Sequence, residues 1–154
     1  MRHLVAGYLL VYLTPLISIL LLLASSRWIR EVKDYVVPIM VHTGISMVVI
    51  AALIIGVGLY VFGYKKQEMK MEEPVIILIL SVPLILWGVF VTLVAVGFYC
   101  HLIEWSEMPE TRGLTIWDHM EYTFCALKGV LWVFSGLLLI VTSYRKKERL
   151  RETL

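Results

Sequence analysis

The chain has 154 residues, of which 60% are hydrophobic and 17% charged, against roughly 45–50% and about 25% in ordinary soluble domains. A soluble domain of this size buries only about 70% of the surface its unfolded chain exposes, too little to hide so much apolar material, and the mean hydropathy of +0.84 agrees. Soluble globular, disordered, collagenous and nucleic-acid-binding classes are excluded, and a formal charge of +2 is too small to point to a partner.

Four apolar stretches follow one another. The first runs from Leu4 to Ala24. A helix rising 1.5 Å per residue needs roughly 20 residues to cross ~30 Å of hydrocarbon, and this run suffices. It also exceeds the roughly 7–15 apolar residues of a secretory leader, so a retained helix is expected. The second stretch runs from Val36 to Tyr64, the third from Pro74 to His101 and the fourth from Trp117 to Ser143. These three are longer than the minimum, which allows tilt or protrusion. Barrel strands would run about 10 residues with alternating polarity, and the runs show no such alternation. The expected fold is all-α: an integral membrane four-helix bundle, with 1–154 forming a single transmembrane domain. The basic segment from Tyr144 to Leu154 is expected to continue the last helix into the cytoplasm, close to anionic lipid.

The loops set the topology. One side, with the N-terminus, the Lys65–Glu73 loop and the tail, carries nine basic residues: Arg2, Lys65, Lys66, Lys70, Arg145, Lys146, Lys147, Arg149 and Arg151. The other carries four, Arg27, Arg30, Lys33 and Arg112. The positive-inside rule then places both termini in the cytoplasm. Carboxylates are skewed the opposite way, with Glu31, Asp34, Glu104, Glu107, Glu110, Asp118 and Glu121 outside. Trp28, Tyr35, Tyr64, Tyr99, Trp105, Trp117, Tyr122 and Tyr144 fall near helix ends, where amphipathic rings form an interfacial belt. Pro15, Pro38 and Pro83 are read as lying within or near the opening turns of helices. Gly44, Gly56, Gly58, Gly63, Gly88 and Gly97 are read as points of close helix approach. Thr111-Arg112-Gly113, after Pro109, is the expected mobile point.

Chemistry is sought in two places. On the outer side lie His42, His101 and His119, the last two within Cys100-His101-Leu102-Ile103-Glu104 and Trp117-Asp118-His119-Met120-Glu121. Imidazole with carboxylate suits a transition metal, and facing histidines suit a haem between helices. His42, His101, His119, Glu104 and Asp118 are therefore candidate metal or haem ligands, although simple 100° spacing turns His119 away from the polar stripe that its helix carries. The second place is the fourth helix. Lys128 lies deep within it, where an ammonium costs at least ~2.5 kcal/mol unless it pairs or snorkels. Glu121, Cys125, Lys128 and Trp132 share one stripe, a polar seam that must face something other than lipid. Glu121 stands about 10 Å above Lys128, so a partner is needed from another helix; Ser46, Thr92, Cys100 and Glu104 have the right depth. Three readings stand for Lys128: packing, binding an anionic headgroup, quinone or substrate, and relaying protons with Glu121 and Asp118.

Cys100 and Cys125 suit free thiols better than a disulfide, and no Cys-x-x-Cys supports thiol exchange. Nucleotide-binding loops, esterase elbows and His-Glu-x-x-His pairs are missing from the sequence. The expected role is that of a small integral subunit of a larger membrane complex, respiratory or oxidoreductive, in contact with lipid and other membrane subunits and holding a metal, haem, quinone or lipid near its outer face. The alternatives are a small homo-oligomeric transporter or channel, and a structural or assembly subunit without cofactor.

Overall fold

A computed structural model describes residues 2–30, 34–65, 73–108 and 113–152; the side chains of 2, 73–75, 146–147 and 149–152 are outside the description. The chain forms α1 (Arg2–Ile29), α2 (Val36–Lys65), α3 (Glu73–Ser106) and α4 (Ile116–Glu152), each long and apolar enough to cross a membrane. Hydrocarbon offers the backbone no hydrogen-bond partner, so a spanning segment must satisfy its own N–H and C=O groups, and a helix does so.

All four helices outrun their apolar stretches, α1 to Ile29, α3 to Ser106 and α4 to Glu152. Hydropathy measures the hydrocarbon thickness, whereas helical hydrogen bonding continues through the interface. Short-range caps set the starts. Asp34 Oδ1 accepts the Val36 N–H at 3.0 Å. Thr115 and Asp118 cap α4 reciprocally: Asp118 Oδ2 accepts the Thr115 N–H at 2.8 Å, and the Asp118 N–H reaches Thr115 Oγ1 at 3.4 Å. Of the expected mobile point and the residue before it, only Gly113 is described. Of the charges used for topology, Glu31, Lys33, Lys66, Lys70, Glu110 and Arg112 lie outside the described residues.

The helices pack as two antiparallel hairpins, α1 on α2 and α3 on α4, joined mainly where α2 meets α4; α1 and α3 barely touch. Buried positions recur at alternating intervals of three and four: Leu4, Gly7, Val11, Thr14 and Ser18 on α1, and Ser46, Val49, Leu53, Gly56, Tyr60 and Gly63 on α2. That is the spacing of a left-handed bundle. Hydrophobicity does not mark the inner face, since Leu86, Leu93 and Phe98 point outward while Ser81 and Ser135 are buried. Lipid tails are as apolar as leucine, so small and polar residues drive the packing instead.

Glycine shows where backbones touch. A Cβ at Gly56 would meet the Val11 side chain at 2.9 Å, and one at Gly63 the Leu4 backbone nitrogen at 2.5 Å. A Cβ at Gly88 would meet the Gly129 carbonyl at 2.6 Å. Gly7, Gly129 and Gly136 serve the same contacts, although nothing in the sequence singles them out. Gly44, Gly58 and Gly97, expected at helix contacts, have nothing within 4 Å of an added Cβ. Pro15 and Pro83 also correct an expectation, for both sit in helix interiors rather than opening turns. At Pro15 the lost N–H frees the Val11 carbonyl, and the Thr14 hydroxyl donates to it at 2.7 Å.

Candidate functional site

The centre of the bundle is built around Lys128, within the α4 span Ile116–Arg145. The residue is 5% exposed. Its Nζ donates to Ser46 Oγ on α2 at 3.2 Å and to Ser18 Oγ on α1 at 3.4 Å. Of the four partners sought by depth, the structure brings only Ser46 to the lysine. Thr92 instead donates to its own helix at Gly88, while Cys100 and Glu104 are exposed. Ser18 had no signal of its own, because α1 carries several small hydroxyl residues and depth alone does not select one.

One turn further along α4, Trp132 is buried and donates its indole N–H to Thr14 Oγ1 at 2.8 Å. Its ring centroid lies 5.6 Å from Lys128 Nζ, within range of cation–π attraction. Thr14 thus links two groups. It accepts from Trp132 and donates to the carbonyl that Pro15 leaves free. The polar seam read on α4 faces α1 and α2, with Cys125 part-buried between Glu121 and Lys128.

At the end away from the chain termini, Glu121 Oε1 lies 2.9 Å from His42 Nδ1, an ion pair when the imidazole is protonated. This contact joins α2 to α4. His119 turns the other way and meets the Tyr99 hydroxyl of α3 through Nδ1 at 2.6 Å. His101 and Glu104 stand 3.8 Å apart and are both strongly exposed. Asp118 is buried at the start of α4, where it completes the cap with Thr115.

The five candidate ligands are thus drawn to separate partners. His42 goes to α4, His119 to α3, His101 and Glu104 to the surface and Asp118 to its own helix terminus. Among the described residues no three His, Cys, Asp or Glu side chains converge into a set able to hold a metal ion. A metal centre built on three or more of these residues does not fit that arrangement. Both cysteines are free, Cys100 exposed and Cys125 part-buried.

Comparison with protein-family models, with curated proteins and with solved structures finds no match to this chain. The chemistry of the buried centre and the bare faces of the bundle therefore carry the functional reading.

Proposed function

We propose that this small membrane protein works as an integral subunit of a larger membrane assembly, with both termini in the cytoplasm. The carrying observation is the fate of the glycines. Six of them bring helices together inside the bundle, while Gly44, Gly58 and Gly97 lie on exposed helix faces with open space above them. A glycine inside a helix costs about 0.5–1 kcal/mol relative to alanine, and close approach of another backbone offsets that cost. Among the described residues no helix packs on these three positions, and we assign them to helices of another polypeptide. Gly97 also lies in an open depression of about 260 Å³ on α3, with Val94, Phe98 and His101. Packing supports the same reading, because α3 is held mainly by α4, with α1 adding the Tyr12 contacts to Ser81 and Ile77. The orientation rests on the excess of basic residues on the side of the termini.

The test places a photo-crosslinking amino acid at Val94 or Phe98, or at Met47 beside Gly44, in the native membrane. Adducts to another polypeptide are expected, with Gly97→Leu reducing those at Val94 and Phe98 at least tenfold. Adducts to lipid alone would overturn the assembly reading. Adducts to a second copy of this chain would favour the homo-oligomer, which Gly44, Ala51 and Gly58 support: they recur every seven residues on the exposed side of α2.

A further inference from the structure

Hydrogen bonding around Lys128 is unbalanced. Among the buried hydroxyl residues, Thr14, Thr43, Ser81, Ser135 and Ser143 each donate to a carbonyl of their own helix. That is the usual resort of serine and threonine within a helix. Ser18 and Ser46 do otherwise, and both meet Lys128. Each serine oxygen accepts a lysine N–H, which leaves the serine's own hydroxyl hydrogen without an acceptor. An ammonium has three donors, and two are used here. Two serine O–H groups are left over at a single point, with one lysine N–H that has only the Trp132 ring, 5.6 Å away, to face.

The imbalance extends to charge. Among the described residues the carboxylate ion pairs are those of His42 with Glu121 and His101 with Glu104, and no carboxylate lies within 4 Å of Lys128. Ser18, Ser46 and Lys128 are 3%, 5% and 5% exposed, so water does not compensate from a surface. A buried cation without a counter-charge is costly, and unmade hydrogen bonds add to the cost. One monovalent anion answers both deficits, because it accepts all three donors and neutralises the ammonium.

We propose that Lys128, Ser18 and Ser46 form a binding site for one small monovalent inorganic anion, of halide size, at the centre of the bundle. The three donors are buried between α1, α2 and α4, a setting that favours a small ion over an anion carried on an alkyl chain. Glu121 is not the missing counter-charge, since it stands about 10 Å away along α4 and is held by His42. A polar approach leads from the end away from the termini. His42 is one turn from Ser46 on α2, and Glu121 and Cys125 precede Lys128 on the inner side of α4.

The test uses the purified full chain in detergent, exchanged into gluconate buffer at constant ionic strength and titrated with sodium bromide. Bromide is expected to raise the unfolding temperature saturably and to quench Trp132, whose ring borders the site. Trp132→Phe identifies that share of the emission. Lys128→Met should abolish both responses, and Ser18→Ala with Ser46→Ala should weaken half-saturation tenfold or more. The double serine variant keeps the lysine and separates loss of the site from loss of the charge. A wild-type protein indifferent to bromide would mean that the amine is uncharged and satisfied by a serine hydroxyl, and the site would fall. So would a bromide response that is linear in concentration or persists in the double serine variant.

Discussion

In the half of the bundle that carries the chain termini, helices are tied across the interior by neutral hydroxyls. Tyr60 meets Thr142 at 2.7 Å, joining α2 to α4, and Tyr12 meets Ser81 at 3.1 Å and the Ile77 carbonyl at 3.2 Å, joining α1 to α3. From the centre to the other end the ties are ionisable: Lys128 to Ser18 and Ser46, then His42 to Glu121. A hydroxyl both donates and accepts, so a pair of them closes on itself and asks nothing further of its surroundings. An ammonium only donates, and it brings a charge that two serines do not cancel. The hydroxyl ties close on themselves, whereas the lysine tie leaves donors and a charge for the proposed anion to answer.

Substitutions that remove polar atoms at nearly constant shape should therefore have opposite signs at Lys128 and at the hydroxyl ties. The largest effect is expected at Lys128. In halide-free detergent, Lys128→Met should raise stability by up to about 2.5 kcal/mol, the insertion penalty of a central lysine. Unfolding in mixed micelles checks this, and a loss of similar size would show that the ammonium is already well satisfied. Next comes Thr14→Val, which strands both the Trp132 N–H and the Val11 carbonyl. It should cost about 2 kcal/mol, the range for an orphaned buried polar group. An unchanged midpoint would mean that Pro15 is accommodated in another way.

Tyr60→Phe removes one neutral tie and should cost about 0.6 kcal/mol, as interhelical hydrogen bonds in membranes do on average. A gain instead would erase the contrast between the halves. Smallest is Glu121→Gln. The pair it breaks is partly open to solvent, at 38% exposure for His42 and 22% for Glu121, so a change below about 0.5 kcal/mol is expected. A larger loss would promote the pair from an interfacial contact to a structural tie.

Much of this is legible in the sequence, for identifiable reasons. Lys128 stands out because a charge amid apolar residues is rare, and the stripe through Glu121, Cys125 and Trp132 follows from helical spacing. The partner on α1 is not legible, since Ser18 resembles other small hydroxyl residues and only packing aims it at the lysine. Glycines mislead for a related reason. Gly56 and Gly58 are equivalent by composition, yet they lie some 200° apart around α2, and only Gly56 faces α1. Three histidines gathered at one end suggest a shared ligand set, but each sits at a different angle on its helix and finds its own partner.

That four helices cross the membrane follows from the chain alone, because apolar length and backbone self-sufficiency leave hydrocarbon no other solution at this size. So does the polar face of α4, because spacing along one helix is a local property. Which surfaces meet emerges only in the packed bundle. In a bilayer the inner and outer faces of a helix are almost equally apolar, so hydropathy carries no sign of which one turns inward. Close glycine contacts and a few buried polar atoms make that choice, and they settle it between helices that lie far apart in the chain.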